Sequence, residues 1–252
     1  PRAEVQLPLV KEDDRDDLSP YAIALTNEKH VSPLHSWVES AGEWDHAVQA
    51  YHASVSFADY CLGLVLQALD DSPHKDNTIV ALFSDHGFHL GEKQRWAKRT
   101  LWEDGTRVPL IVAAPGFPAG RTVTKPAQLL DLFPTLIELT DLPADESQEG
   151  HSLVPLMKDA AAEWPNVAIT SFGKGNYGIR SEHHRYIRYL DGSEELYDHR
   201  NDPHEWNNLV GSDGIEGVLK AHRKHLPKEE EPILPGKSTG HKSYAAAGKL
   251  IK

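Results

Sequence analysis

Residues 78–87 constrain this chain most: an apolar, β-branched run stops abruptly at Ser84-Asp85-His86-Gly87. The run over 78–83 predicts a strand that is covered on both faces. Ligands of open α/β sheets bind beyond the carboxyl ends of strands, and Gly87 allows a turn by which Asp85 and His86 can reach one ion. Cations follow at positions 93, 95, 98 and 99. The segment therefore indicates a metal site that faces an anion.

Length and charge limit the classes of protein that fit. The 252 residues suit one large α/β domain, alone or with a smaller one, and no apolar run approaches the ~20 residues that span a bilayer. A net charge of −12 argues against nucleic acid and anionic membranes as partners, while the local cations allow a small anionic substrate. The single cysteine, Cys61, excludes an intramolecular disulfide. Pro1, in place of a methionine, suggests a fragment or a processed product.

Hydrophobic spacing predicts an α/β arrangement. Apolar steps of three and four residues predict a helix over 45–69, a second buried strand is expected over 107–114, and a helix over 128–139. Residues 1–40, rich in proline and acidic side chains, are expected to be extended surface segments. Glycine-separated runs then predict a small antiparallel sheet followed by a helix and a loosely held tail. The strands are expected over 167–172, 177–180, 185–189 and 194–197. The helix is expected over 216–226, and the tail from 227 onward.

The candidate site residues each have a plainer structural alternative. Asp85 can cap a turn, and His86 can be a partly buried polar residue. Lys98 offers a compact positive charge suited to a tetrahedral oxyanion, but it can equally be a solvated lysine. Trp96 can either line a pocket or pack in the core. His89 is more typical of a loop histidine than of a ligand.

Other polar groups are interpreted more simply. Glu103 and Arg107 are spaced for a structural ion pair. His183, His184 and Arg185 lie where they can reach a substrate, although ordinary surface residues fit as well. The sequence contains no glycine-rich phosphate loop, no Gly-x-Ser-x-Gly elbow and no paired-cysteine zinc motif.

A resemblance sharpens this interpretation. The segment FSDHGFHLGEKQRWAKRTLWEDGTRVPLIVAAPG resembles the second half of type I sulfatases of the alkaline-phosphatase-like superfamily, with the iduronate-2-sulfatase-like branch nearest. The similarity extends over roughly residues 45–232. It implies the C-terminal part of a large α/β sandwich over residues 1–165 and a small C-terminal α+β subdomain over 166–232. A loosely ordered tail is expected over 233–252.

The resemblance also implies roles. Asp85 and His86 correspond to a pair that completes a calcium site, although ligand chemistry alone would equally suggest zinc or manganese. Lys98 corresponds to the lysine that holds the sulfate oxygens and the charge developing on the leaving group. The substrate is expected to be a sulfated sugar, with Trp96 and His183 as substrate contacts. The family further implies a periplasmic or extracellular location.

One element of the family pattern is missing from this sequence. Sulfatases of this type carry a formylglycine made from a Cys/Ser-x-Pro-x-Arg motif, whereas Cys61 is followed by Leu-Gly-Leu. The chain is therefore expected to lack the nucleophile, to need the missing N-terminal half of the same enzyme as a partner, and to be inactive alone. Two alternatives stay open: a phosphate or phosphonate ester hydrolase of the same superfamily, and a non-catalytic binding or scaffold fragment.

Overall fold

A computed structural model describes residues 4–27 and 32–230. The helices are α1 (Pro20–Thr26), α2 (His35–Ser40), α3 (Trp44–Asp70), α4 (Glu103–Thr106), α5 (Leu132–Leu139), α6 (Val154–Lys158) and α7 (Glu216–Arg223). The strands are β1 (Val80–Phe83), β2 (His89–Leu90), β3 (Trp96–Ala97), β4 (Leu110–Ala113), β5 (Ala168–Ser171), β6 (Tyr177–Arg180), β7 (His184–Arg188) and β8 (Glu194–Asp198). Among these residues no helix is both long enough and apolar enough to cross a bilayer.

The strand before the Asp-His pair pairs with the other predicted strand of this region. β1 and β4 run antiparallel as a two-stranded sheet, from Val80 opposite Ala113 to Phe83 opposite Leu110. The prediction that this strand is covered on both faces is wrong for the described residues, because Phe83 is 49% exposed. On β4, Ile111 is 55% exposed. A two-stranded ladder has too few neighbours to cover both of its faces.

Helix α3 coincides with the predicted helix, but its apolar side chains are largely uncovered. Val48 is its one buried residue in the described structure. The large exposed apolar side chains of α3, β1 and β4 are here called the apolar surface. They are Val55, Phe57, Tyr60, Leu64, Val65, Leu66, Phe83 and Ile111. An exposed apolar set of this size is typical of a surface that another polypeptide covers.

The predicted small antiparallel sheet is confirmed. Its strands follow one another in the order β5-β6-β7-β8, with every neighbouring pair antiparallel. One face packs on α7 through Ile179, Tyr186, Leu196 and Leu219, all of which are buried. Their strand neighbours Ile187 and Tyr197 are also 0% exposed and belong to a second cluster on the opposite face, so β7 and β8 are covered on both faces.

The N-terminal segment differs from its prediction. Residues 1–40 are not simply extended, because α1 and α2 form within them. Ser19 accepts a hydrogen bond from the Ala22 backbone as N-cap, and Pro20 occupies the first turn, where its fixed φ favours a helix. Pro20, one of the prolines that suggest extended chain, therefore starts a helix.

This N-terminal helix packs into the main core. Leu18, Tyr21 and Leu25 contact a cluster that includes Trp102 and Tyr197. The cluster joins residues on both sides of the predicted boundary between positions 165 and 166, which stays a prediction. The predicted tail over 233–252 lies outside the described residues.

Candidate active site at the end of β1

The Asp-His-Gly turn is held by close backbone contact with α4. Gly87 donates its N–H to the carbonyl of Gly105 at 3.1 Å. A Cβ atom at position 87 would lie 2.0 Å from the carbonyl oxygen of Asp104, so no larger residue fits. Ser84 Oγ donates to the His86 carbonyl at 3.0 Å. Glycine is thus required here by the approach of two backbones, and Gly87 does not adopt a positive φ.

The structure brings together three of the predicted site residues. Lys98 Nζ lies 2.7 Å from His86 Nε2, and Asp85 Oδ1 lies 3.6 Å from the same nitrogen. The other ring nitrogen of His86, Nδ1, lies 2.7 Å from the Gly87 carbonyl, which can only accept. Nδ1 therefore carries the proton, and the lone pair of Nε2 receives a hydrogen bond from the Lys98 ammonium.

Asp85 and His86 suit a shared cation at the strand end. The Asp85 side chain is 81% exposed and that of His86 32% exposed, so both are accessible from the cleft. Their ligand atoms lie close enough to contact one ion. In the observed arrangement the Lys98 ammonium holds the His86 lone pair, so a metal ion at Nε2 would require Lys98 to turn toward a different acceptor.

Lys98 lies in a strained segment, residues 91–100, here called the Lys98 strap. Lys93, Gln94, Ala97 and Arg99 all have positive φ, between 54° and 72°. Such backbone is uncommon for residues other than glycine and persists only where surrounding contacts enforce it. The strap is therefore held by its tertiary contacts.

The strap is tethered to the N-terminal segment. Lys93 Nζ donates to Asp14 Oδ1 at 2.7 Å, and both side chains are 2% exposed. Burial outweighs the attraction of Lys93 and raises the pKa of Asp14 to about 6. Arg95 donates to Ser32 Oγ at 3.1 Å. These contacts fix the backbone that presents Lys98 to the cleft.

Trp96 and His183 are placed differently. Trp96 is 6% exposed, packs in the core beside Val38 and Val48, and donates to His35 Nδ1 at 3.1 Å. It does not line the cleft described below, and its position favours the packing alternative over a substrate contact. His183 is exposed and does line that cleft.

The cleft is open and has a volume of about 1900 Å³. Asp85, His86, Lys98 and His183 line it together with residues of β4 and of the loops after it. Its other charged lining residues are Asp70, Lys75, Asp76, Arg99, Glu103, Arg107, Arg121, Lys125, Arg180, Glu182, Arg185 and Arg200. The candidate site therefore opens into a large space that carries many cationic groups.

In the wall of the cleft, Glu103 belongs to a buried ionic network that the sequence did not indicate. The predicted ion pair between Glu103 and Arg107 is wrong, because the Glu103 carboxylate contacts Arg185 and Arg180 instead. Arg185 is 3% exposed and also lies 2.7 Å from Glu205 Oε1. Burial opposes ionisation of Glu103, but Arg185 and Arg180 outweigh it and lower its pKa to about 2. Arg185 is thus a buried member of this network and not an exposed surface residue.

This shift predicts acid sensitivity. The stability that ionised Glu103 contributes is present above its ordinary pKa of 4.5 and is lost as the pH falls toward 2. At about pH 3 we expect the loss from this group to be about 2 kcal/mol. Urea unfolding at neutral pH and at about pH 3 measures this loss of stability. Because Glu103→Gln lacks the carboxylate, it should lose correspondingly less stability on acidification. Glu216→Gln, at an exposed ion pair with Arg223, is the control. Equal acid sensitivity of wild type and Glu103→Gln would contradict the assignment.

Two family profiles and a curated relative all match this chain to sulfatases. The profile of the sulfatase family matches residues 10–142, and that of the C-terminal region of N-sulphoglucosamine sulphohydrolase matches residues 91–231. A sulfatase of Formosa agariphila is 41% identical over 228 residues, which are 90% of this chain and 45% of that protein. The chain thus spans less than half the length of this relative.

Two solved structures share the fold. A protein crystallised with its substrate D-glucosamine-2-N,6-O-disulfate aligns with a TM-score of 0.65 and 27% identity, over 75% of this chain and 43% of that one. A phosphonate monoester hydrolase of Agrobacterium radiobacter aligns with a TM-score of 0.62 and 26% identity, over 73% and 42%. The predicted alkaline-phosphatase-like α/β fold class is confirmed. Several sulfatase types occur among the relatives, so the iduronate-2-sulfatase-like branch stays a prediction.

Proposed function

Because this chain belongs to the sulfatase family, we propose that it supplies the lysine and part of the metal site of a sulfuric ester hydrolase. The observation that carries the proposal is the convergence of Asp85, His86 and Lys98 at the mouth of the cleft. A sulfated sugar is the proposed substrate class, supported by the relative that was solved with a disulfated glucosamine. A periplasmic or extracellular location is proposed on family grounds.

In this proposal each side chain has a distinct task. The Lys98 ammonium binds the sulfate oxygens and offsets the negative charge that grows on the leaving oxygen. Asp85 and His86 hold a divalent cation, for which we propose calcium. Bound calcium would supply positive charge to the sulfate group. The tautomer that the Gly87 carbonyl imposes places a lone pair on His86 Nε2, which can ligate once Lys98 turns from it to another acceptor such as the sulfate.

The proposed mechanism also needs groups that this sequence does not contain. We propose that a formylglycine nucleophile and further metal ligands come from the portion of the enzyme that this chain does not span. The same portion is the proposed partner for the apolar surface of α3, β1 and β4. Burial of such side chains stabilises an interface by roughly 25 cal/mol per Å² of apolar area removed from water.

The chain alone is expected to show no sulfatase turnover, because the nucleophile motif is absent from its sequence. An aryl sulfate assay on the purified polypeptide measures this. Hydrolysis by the isolated chain that is abolished by Lys98→Ala would contradict the proposal.

A chimera tests the function directly. The matching 228 residues of the Formosa agariphila sulfatase are replaced by this chain, and hydrolysis of sulfate esters is measured. We expect the chimera to be active and Lys98→Ala to lower its kcat about 10²–10³-fold, as loss of one stabilising donor typically does. Lys174→Ala, at a lysine that is 52% exposed, is the matched control. A chimera in which Lys98→Ala and Lys174→Ala have the same activity would refute the role of Lys98.

The chimera and the isolated chain also distinguish two other candidate functions. The likeness to a phosphonate monoester hydrolase favours phosphonate ester hydrolysis as a second candidate. A chimera that prefers phosphonate over sulfate esters would support it. A third candidate is a non-catalytic binding or scaffold role for the fragment. Calorimetric titration of the isolated chain with calcium tests this candidate. A retained partial site should bind calcium weakly and lose that binding in Asp85→Ala.

A further inference from the structure

We propose a second metal site, formed by His89, Glu92 and Asp104, that takes a divalent transition ion of the zinc type. One potential ligand atom from each residue lies within 4.8 Å of the other two. None of the three residues lines the cleft that contains Asp85 and His86. The proposed site is therefore separate from the calcium site of the proposed function.

The histidine is arranged as a metal ligand. His89 is 0% exposed, and its Nε2 lies 2.7 Å from Thr100 Oγ1, which fixes the orientation of the ring. Its other nitrogen, Nδ1, is buried and has no hydrogen-bond partner in the described structure. The backbone of Glu92 lies beside the ring. A ligating histidine commonly has one nitrogen held by a hydrogen bond and the other directed at the ion.

The two carboxylates lack a compensating cation. Among the described residues, neither Glu92 nor Asp104 has a cationic partner within salt-bridge distance, although Arg180 and Arg185 compensate neighbouring Glu103. Glu92 Oε2 accepts a hydrogen bond from the Leu90 backbone at 2.6 Å. Two carboxylates held this close repel each other, and a cation between them or a proton on one of them relieves the repulsion.

Two glycines allow these groups to approach one another. Gly105 follows Asp104 in α4, and a Cβ there would lie 2.2 Å from Thr100 Oγ1 and 3.2 Å from His89 Nε2. Gly87 makes the matching contact with the backbone of Asp104. The backbone of α4 can therefore reach the buried histidine only because both positions lack a side chain.

The donor set selects the type of ion. One imidazole and two carboxylates suit zinc better than calcium, which prefers oxygen ligands only. Three protein ligands leave a fourth tetrahedral position for water, on the side where Asp104 is exposed. A bound ion would tie the start of the Lys98 strap to α4.

Calorimetry on the metal-stripped chain tests the proposal, with Zn²⁺ as the ligand and Co²⁺ absorption as a second readout. Asp85→Asn serves as the parent, so that the cleft site does not contribute. We expect one zinc ion per chain, a tetrahedral Co²⁺ spectrum and a higher midpoint of thermal unfolding with zinc. Asp104→Asn and Glu92→Gln should each weaken zinc binding more than ~10-fold. Asp213→Asn, at an exposed aspartate elsewhere, should bind as the parent does.

Two outcomes would overturn the site. One is a folded parent that binds no zinc and gives no tetrahedral Co²⁺ spectrum. The other is zinc binding that Asp104→Asn and Glu92→Gln leave unchanged, which would place the ion on other histidines of the chain. Neither outcome bears on the sulfatase proposal, because Lys98, Asp85 and His86 are not needed for this binding.

Discussion

Replacing Arg185 by methionine is expected to lower the free energy of unfolding by about 3–5 kcal/mol. Its guanidinium contacts Glu103, lies 2.7 Å from Glu205 Oε1 and donates to the Leu101 carbonyl at 2.9 Å. Methionine replaces only the aliphatic part of the side chain and leaves Glu103 and Glu205 buried with less compensating charge. Arg180 and His199 still contact these carboxylates, which favours the lower end of the range.

Urea unfolding followed by circular dichroism measures the effect of Arg185→Met. The control is Arg200→Met, because Arg200 is 55% exposed in its pair with Asp198 and should contribute little. Amide hydrogen exchange adds a local readout, since residues 98–106 should lose protection along with the global stability. If Arg185→Met and Arg200→Met had equal effects, the buried network would have no special role.

Truncation of Trp102 to alanine is expected to cost about 3–5 kcal/mol of stability. Trp102 is 1% exposed and packs in the cluster that joins α1 to the small sheet. Its Nε1 donates to Glu195 Oε2 at 2.8 Å, and the Lys93 ammonium lies 5.7 Å from its ring centroid. The substitution therefore leaves a cavity and removes one donor from a buried carboxylate.

Trp37→Ala is the matched control for Trp102→Ala, because Trp37 is 61% exposed. Its loss should change the unfolding free energy by no more than about 0.5 kcal/mol. Trp102→Phe should give an intermediate loss, because a smaller aromatic ring still fills part of the site while the hydrogen bond to Glu195 is lost. A Trp102→Ala protein as stable as Trp37→Ala would show that this cluster is not the core of the fold.

Local sequence patterns predicted most of the regular structure. The apolar steps of residues 45–69 and the short runs of the small sheet depend on neighbours a few residues away, and α3 and β5 to β8 form there. The structure differs from the prediction of extended chain over residues 1–40 because proline interrupts a helix in its interior but favours one at its first turn. The Ser19-Pro20 pair is the local signal that distinguishes the two cases.

The sequence predicts only part of the candidate site. Asp85, His86 and Lys98 were proposed from spacing and resemblance, and the structure brings their side chains together. The Lys93–Asp14 pair joins positions 79 apart, and Arg185–Glu103 joins positions 82 apart. A local pattern cannot show which of the many charged residues meet over such separations.

By itself, the sequence determined the positions of α3, α5, α7, β1, β4 and β5 to β8, the family, and the residue types at the end of β1. Those properties follow from short-range periodicity and from motifs contiguous in the chain. The tertiary structure decided that Trp96 is a core residue, that Arg185 is buried, and that a strained strap presents Lys98. It also decided that β1 and α3 remain partly uncovered in this chain. The physical reason is that burial, ion pairing and backbone strain depend on segments distant in sequence, which only the folded chain brings into contact.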